Sequence, residues 1–281
     1  MYTAKTIAEV RHQRWADSNA SWGLVPTMGF LHEGHLSLIR QAKAENDQVA
    51  ATIYVNPKQF GPQDDFDSYP RDLERDLAIL QEEGVDLAFT PSDKEMYPTG
   101  FETAVIVQYL TNRLEGAARP NHFQGVTTVV AKLFNIIQPH RAYFGQKDAQ
   151  QTVILKRMVR DLNINLEMIV CPTVREADGL ALSSRNKYLN QAERQAATVL
   201  YQALQAAKTA YDAGERRGQP LRRLMLDALE GEPLAHLEYV SVADPHTLFE
   251  LDEVTSEALL SLAVRIGDTR LIDNIPISDV K

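Results

Sequence analysis

The stretch Val49-Ala-Ala-Thr-Ile-Tyr-Val55 decides the fold class, because a continuous apolar and β-branched run is typical of a strand buried on both faces. Shorter apolar runs flank it at Trp22–Pro26 and Val85–Phe89. Helical patterns separate the three runs: one ends near Glu45, and another covers Asp72–Glu83. Strands that alternate with crossover helices predict a parallel sheet.

The same alternation continues to about residue 170. Further helices are predicted over Val126–Ile137 and Ala149–Leu162, and further strands over Ala142–Phe144 and Leu166–Val170. We therefore expect residues 1–173 to form an α/β domain, a Rossmann-like parallel sheet with helices on both faces. In such sheets ligands bind beyond the carboxyl ends of the strands. The loops after the strands are therefore the places to search for a site.

The pattern changes after Cys171-Pro172, where helices come first and strands follow. This order indicates a smaller α+β C-terminal domain over residues 174–281. The predicted elements are one long helix over Gln191–Ala213, a second helix over Leu221–Glu230, and strands over Leu237–Val242, Leu259–Ile266 and Arg270–Ile275.

Composition excludes several classes of protein. The 281 residues are 44% hydrophobic and 24% charged, which is the balance of a globular protein and not of a disordered one. A net charge of −9 argues against unspecific nucleic-acid binding. No apolar run reaches the ~18 residues of a membrane span, and the chain start lacks the pattern of a secretion signal. With Cys171 as its single cysteine, the chain is expected in the reducing cytoplasm. The charge and the lack of a long apolar run lead us to expect neither nucleic acid nor membrane as a partner.

The segment Val25-Pro-Thr-Met-Gly-Phe-Leu-His-Glu-Gly-His35 joins a predicted strand to a predicted helix. Gly29 and Gly34 allow a close backbone approach, and the helix start offers unpaired N–H groups and a positive dipole end. His32 and His35 are spaced so that both rings can lie on one side of the first turn. Imidazoles there can stabilise charge on a phosphate group.

Two other interpretations of this segment exist. A zinc-protease helix requires His-Glu-x-x-His, and the spacing between His32 and His35 is one residue too short for it. The segment could also be a plain helix cap whose histidines are solvated. Phosphate binding is favoured over the cap, and a metal site is the least supported.

Two further segments carry groups that suit phosphate. Gly145-Gln-Lys-Asp148 follows a predicted strand and opens a helix, so Lys147 can place a compact positive charge there. Ser183-Ser-Arg-Asn186 combines hydroxyls with a guanidinium. Taken alone, the first segment could be an ordinary helix start and the second a solvated turn.

Asn56 and Gln59 follow the strand Val49–Val55. Uncharged amides can bind hydroxyl and carboxylate oxygens, although Asn-Pro is also common in simple turns. Nearby acidic residues give weaker signals. The cluster Asp64, Asp65 and Asp67 is interpreted as a solvated loop, and Asp76 as an outer magnesium contact or as helix-surface charge.

These motifs together resemble the pantoate–β-alanine ligase (pantothenate synthetase) family of the nucleotidyltransferase superfamily. The His-x-Gly-His signature introduces the resemblance, and several segments follow in the family's order from residue 22 to about residue 188. Asn121 stands where the family commonly has glycine, and Leu182 where it often has methionine. The matching segments are Asn56–Phe60, Arg119–Val126, Phe144–Gln151 and Val174–Asn186.

The resemblance implies roles for single residues. His35, His32, Lys147 and Arg185 would be catalytic, and Gln59 and Gln151 would bind pantoate, with Gln59 also contacting β-alanine. The metal ligands are not implied. The residues expected to bind ATP are Met28, Gly29, Phe30, Leu31, His32, Glu33, Gly34, His35, Gly145, Gln146, Lys147, Asp148, Val174, Leu182, Ser183, Ser184 and Arg185.

The implied reaction joins (R)-pantoate to β-alanine through pantoyl adenylate, giving pantothenate, AMP and pyrophosphate. ATP is the nucleotide substrate, Mg²⁺ is expected with it, and the family suggests a homodimer. Two alternatives remain at this stage. One is a nucleotidyltransferase that transfers AMP to a phosphate-bearing acceptor, and the other is a non-catalytic nucleotide-binding protein.

Overall fold

The computed structural model describes residues 1–62 and 64–279, which form two compact units. The first unit comprises residues 1–112, 116–145 and 154–172. The second unit comprises residues 113–115, 146–153 and 173–281, as far as residue 279 is described. The division into domains at residues 1–173 and 174–281 stays a prediction, because compactness does not test whether a segment folds independently.

The first unit contains a six-stranded sheet in the order β1-β4-β3-β2-β5-β6, with every neighbouring pair parallel. Residues 49–52 of β3 are fully buried, as expected for a central strand covered on both faces. The predicted α/β class is confirmed. The strands are β1 Tyr2–Ala4, β2 Trp22–Thr27, β3 Gln48–Ile53, β4 Leu87–Phe89, β5 Arg141–Gly145 and β6 Glu167–Cys171.

Helices connect these strands, and each helix can pack on the sheet because its apolar residues recur on one face. On α2, Leu38, Ile39 and Ala42 are buried and pack in one cluster with Val49 and Tyr143. The helices up to residue 161 are α1 Ile7–Arg14, α2 Glu33–Glu45, α3 Leu73–Glu82, α4 Asp93–Met96, α5 Leu114–Ala118, α6 His122–Ile137 and α7 Ala149–Asp161. Short 3-10 turns cover Pro57–Gln59, Leu110–Asn112 and Gln146–Asp148.

The second unit has its own core and an antiparallel sheet in the order β7-β8-β9. Leu204, Leu221, Met225 and Leu262 are fully buried in that core. The expected smaller α+β part is confirmed. Its elements are a 3-10 turn at Ser184–Tyr188, α8 Gln191–Ala196, α9 Val199–Asp212, α10 Gly218–Glu230, β7 Ala235–Ala243, β8 Glu257–Ile266 and β9 Thr269–Ser278.

The single helix predicted over Gln191–Ala213 is wrong, because the structure divides it into α8 and α9. At the break, the Thr198 hydroxyl donates to the Gln195 carbonyl at 2.8 Å, and the Leu200 N–H reaches the Ala197 carbonyl, three residues back. A side chain that competes for a helix carbonyl, together with such tight turns, interrupts the regular bonding pattern.

Among the described residues, no helix is both long and apolar enough to cross a membrane.

Gly125 lets α6 lie directly against the turn Pro57–Gln59. A Cβ at this position would come within 2.2 Å of the Lys58 carbonyl oxygen and 2.6 Å of the Gln59 nitrogen. We expect Gly125→Ala to destabilise the protein by roughly 1–3 kcal/mol, because backbone must move. The melting temperature should fall by about 2–4 °C per kcal/mol. Calorimetry measures it.

Gly61→Ala is the matched control. A Cβ on Gly61 would be 3.6 Å from the nearest atom, an Asp64 carboxylate oxygen, which is ordinary contact. Equal melting temperatures for the two variants would contradict the proposed close contact of α6.

Candidate active site

The loop between β2 and α2 makes a left-handed turn before the histidines. The Thr27 hydroxyl donates to the Thr52 carbonyl at 2.6 Å and accepts the Gly29 N–H at 3.1 Å. Gly29 and Phe30 then have φ angles of +85° and +51°. Glycine adopts such angles without a steric penalty, whereas Phe30 needs support from its surroundings.

Asp76 on α3 supplies that support. Its carboxylate accepts the N–H of Phe30 at 2.6 Å and of Leu31 at 2.8 Å, and Arg75 donates to the Leu31 carbonyl at 2.9 Å. Asp76 is 1% exposed, and burial raises the pKa of its carboxyl group. The expectation of helix-surface charge is therefore wrong. Sequence spacing held a signal for this, since Asp76 lies four residues before the core residue Leu80 and so on the same helix face.

His32 and His35 lie together where α2 begins. Their ring centroids are 4.1 Å apart, and the His32 N–H donates to His35 Nδ1 at 3.3 Å. Both side chains are half-buried, at the helix end where N–H groups and the dipole favour anions. Their neighbours differ in exposure: Leu31 is buried, whereas Glu33 is exposed and ion-paired with Arg40.

Gln59 lies against this loop. Its Nε2 donates to the Met28 sulfur at 3.1 Å, and its Oε1 accepts from Asn56 Nδ2 at 3.0 Å. Asn56 is 1% exposed and also bonds the Gly125 carbonyl and the Tyr97 hydroxyl. Asn56 therefore supports Gln59, whose half-buried amide is presented beside the histidine loop.

The Arg119–Gly125 segment packs behind Gln59. His122 Nδ1 lies 2.8 Å from the Gln59 carbonyl oxygen, and Arg119 donates to Asp64 at 2.8 Å. Although partial burial opposes it, Arg119 holds the pKa of Asp64 below its usual value. The interpretation of Asp64 as part of a solvated loop is therefore wrong, because its carboxylate is paired with Arg119. Asn121, the N-cap of α6, has a φ angle of +66°. Asparagine is one of the few residues besides glycine that adopt this left-handed conformation readily, which explains its presence here.

In the second unit, the turn Gln146–Asp148 follows Gly145, the last residue of β5. Lys147 Nζ lies 3.8 Å from the Asp148 carboxylate, and the Lys147 carbonyl accepts from Asn274 at 2.9 Å. Gln151 follows in the first turn of α7 and is half-buried. Asn274 was not found by sequence reasoning, since nothing local in its strand marks a partner so distant in the chain.

The other predicted residues of the second unit share a hairpin-like segment. The Leu182 N–H donates to the Val174 carbonyl at 3.0 Å, and the residues between them form a bridge from Arg175 to Ala181. The Ser183 hydroxyl accepts the Arg185 N–H at 3.3 Å, which fixes the start of the turn Ser184–Tyr188.

The structure thus brings the predicted residues together in two sets. In the first unit, Met28–His35 and Gln59 lie in contact through Met28. In the second unit, β9 bonds both the turn Gln146–Asp148 and the segment that contains Val174 and Ser183. That the two sets bind one ATP molecule stays a prediction.

Comparison with known proteins agrees with the motifs. The family model for pantoate-beta-alanine ligase matches residues 2–276. A pantothenate synthetase of Roseiflexus castenholzii is 62% identical over 98% of both chains. The crystal structure of pantothenate synthetase from Thermus thermophilus superposes with a TM-score of 0.94 at 49% identity, covering 98% of this chain and 99% of that one.

A further structure is that of pantoate-beta-alanine ligase from Francisella tularensis, complexed with beta-gamma ATP and beta-alanine. It has a TM-score of 0.81 and 37% identity, and the match covers 98% of this chain and 97% of that one. The ligase activity predicted from the motifs is confirmed by these full-length similarities. The chain belongs to the pantoate-beta-alanine ligase family.

Proposed function

We propose that the two sets of residues carry out the family's reaction, with ATP, pantoate and β-alanine as substrates. The observation that carries the proposal is the pair His32 and His35 at the start of α2, in a loop fixed by Asp76 and in contact with Gln59 through Met28. A site for a phosphate chain therefore adjoins an uncharged amide that suits a hydroxy acid.

In the first half-reaction, a carboxylate oxygen of pantoate attacks the α-phosphorus of ATP. The P–O bond to the β-phosphate breaks, and pyrophosphate leaves. A carboxylate is already nucleophilic, so the residues mainly position the reactants and neutralise charge; positioning can contribute about 7–11 kcal/mol. We assign His32, His35, Lys147 and Arg185 to the phosphates, and the Ser183 and Ser184 hydroxyls to the same oxygens.

Gln59 and Gln151 hold pantoate in this proposal. One hydrogen of Gln59 Nε2 bonds Met28, and one lone pair of Oε1 accepts from Asn56. An amide has two donors and an acceptor oxygen with two lone pairs, so Gln59 can bond both a substrate hydroxyl and a carboxylate. Because Asn56 and Met28 fix its orientation, the amide can serve pantoate and then β-alanine.

In the second half-reaction, the β-alanine amine attacks the acyl carbon of pantoyl adenylate. The new C–N bond forms as the C–O bond to phosphate breaks, and AMP and a proton leave. An alkyl ammonium with a pKa of about 10 is only ~0.1% neutral at pH 7, so binding must favour the free amine. Charge on the leaving AMP is stabilised by the residues assigned to the phosphates.

Mg²⁺ is proposed to arrive with the triphosphate. Mg²⁺ is usually held by one or two carboxylates together with substrate phosphates. Within residues 1–62 and 64–279, no three His, Cys, Asp or Glu side chains are grouped to hold a metal. Both oxygens of Asp76, the magnesium contact considered from sequence, are bonded to the Phe30 and Leu31 N–H groups. Asp76 and the other described carboxylates therefore do not form a preformed magnesium site, and no step above depends on the metal.

Three expectations from sequence are kept as proposals. The protein is a homodimer, it acts in the cytoplasm, and residues 1–173 and 174–281 are its two domains. The buried free thiol of Cys171 suits a reducing compartment. Sedimentation velocity distinguishes a dimer from the 31.5 kDa monomer directly.

We predict that His35→Ala and Lys147→Ala each slow pantoate-dependent ATP–pyrophosphate exchange by roughly 100-fold or more, since losing one donor to a reacting oxyanion commonly has that effect. Folding should be retained, because His35 lies in the first turn of α2, Lys147 lies in a short turn, and both side chains are incompletely buried. Exchange of labelled pyrophosphate measures the rate, and circular dichroism measures the melting temperature.

His236→Ala, at an exposed position of β7, and Lys208→Ala, at a partly exposed position of α9, are the matched controls. Wild-type exchange in His35→Ala or Lys147→Ala would remove that residue from the proposal.

We predict that Gln59→Ala weakens pantoate binding by at least tenfold while ATP affinity changes by less than threefold, because Gln59 is assigned to the acid. Losing a hydrogen bond to a charged group is worth about 1.5–3 kcal/mol, which agrees with that loss. Isothermal titration with each ligand separates the two effects. Gln41→Ala, on the exposed face of α2, is the control, and unchanged pantoate affinity in Gln59→Ala would refute the assignment.

We predict that Asp76→Asn lowers the exchange rate roughly tenfold or more, because one amide oxygen cannot replace two carboxylate oxygens that accept two N–H groups. The left-handed turn before His32 would then lose part of its support. Asp72→Asn is the matched control on the same helix, since Asp72 is the exposed N-cap of α3 and asparagine caps equally well. Equal rates for the two variants would contradict the positioning role of Asp76.

A further inference from the structure

We propose that Asn274 and Asp273, adjacent residues of β9, are positioning residues for adenylate formation. Asn274 fixes the turn that carries Lys147, and Asp273 fixes the segment that leads to Ser183 and Arg185. The inference deepens the proposed function, because it rests on the assignment of Lys147 and Arg185 to the phosphates.

Asn274 uses its whole side chain on one turn. Its Nδ2 donates to the carbonyls of Gln146 at 3.0 Å and Lys147 at 2.9 Å, and its Oδ1 accepts from Gln146 Nε2 at 2.9 Å. The side chain is buried, with Asn274 4% exposed. Two consecutive carbonyls bonded to one amide fix the peptide planes on both sides of the Lys147 Cα, and so the direction in which its side chain leaves the backbone.

Only a side chain that offers two donors and an acceptor in one plane can make this set of bonds. Aspartate has nearly the same shape as asparagine, yet it would place oxygens against the Gln146 and Lys147 carbonyls. A buried acceptor that loses its donor is destabilised, so the turn would move until each carbonyl found another partner. The Lys147 ammonium would then leave its place on the phosphate.

Asp273 makes an equally specific pair with Arg175. The two guanidinium nitrogens approach the two carboxylate oxygens at 2.6 Å and 2.9 Å, and Asp273 is 3% exposed. Arg175 also donates to the carbonyls of Gly179 at 3.0 Å and Asn274 at 3.2 Å, and its guanidinium lies 4.4 Å from the ring centre of Tyr201. A planar, bidentate pair of this kind fixes orientation as well as distance.

Arg175 directs the segment because it lies beside Val174 and forms a bridge to Ala181, directly before Leu182 and Ser183. Adjacent β9 residues therefore hold both phosphate-binding elements of the second unit. Residues that only stabilise the fold could make the same bonds, so a structural role has to be distinguished from a positioning role. A positioning residue acts through Lys147, so its loss should matter little once Lys147 is already gone.

A double-mutant cycle makes this distinction. Asn274→Asp is made in the otherwise wild-type full chain and in Lys147→Ala, and pantoate-dependent ATP–pyrophosphate exchange is measured as kcat and as KM for ATP. We expect kcat to fall by at least thirtyfold in the first background and by less than threefold in the second. Asn135→Asp is the matched control, since Asn135 is an exposed residue of α6 that bonds its own helix.

A fall of less than threefold in the wild-type background overturns the inference, and so does an equal fall in both backgrounds. If Asn274→Asp does not give a folded protein by circular dichroism, Asn274→Ser, with a smaller side chain and a single donor, takes its place under the same two limits. Wild-type exchange in Lys147→Ala would instead refute the proposed function of Lys147, so the two failures are distinguishable.

Discussion

The carboxylate of Asp76, bonded to the Phe30 and Leu31 N–H groups, is the interaction on which the candidate site depends. The preceding turn places a non-glycine residue in the left-handed region, a conformation that persists only where the surroundings enforce it. A buried carboxylate that accepts two backbone N–H groups enforces that conformation directly before the N-cap of α2. The imidazoles of His32 and His35 then lie at the positive end of that helix.

The second unit solves the corresponding problem with β9. A turn of three residues and an irregular segment have few backbone bonds of their own, so their positions have to come from a regular element. Asn274 and Asp273 supply these positions from adjacent places on one strand, through an amide on carbonyls and a carboxylate on a guanidinium. In both units, therefore, the groups assigned to phosphate lie in or directly beside short irregular stretches, and buried polar side chains of regular elements hold those stretches in place.

Sequence alone predicted most of the sheet, since strands such as Val49–Val55 are continuous apolar runs and helices follow the usual spacing. It missed the break at Thr198, because a local competition for one carbonyl leaves no mark on hydrophobic periodicity. Motif residues were found because their chemistry is local. Their supports were missed for the opposite reason: Asn274 bonds a carbonyl 128 positions away, and Asp64 pairs with Arg119 across 55 positions.

The proposed function requires that the histidine loop and the Lys147 turn neutralise one triphosphate. A crystal structure of the protein with pantoate and a non-hydrolysable ATP analogue tests it most directly. We expect His32, His35, Lys147 and Arg185 each to place a nitrogen at about 3 Å from a phosphate oxygen, within ordinary hydrogen-bond distance. An analogue bound with its phosphates away from either the histidines or Lys147 would contradict it.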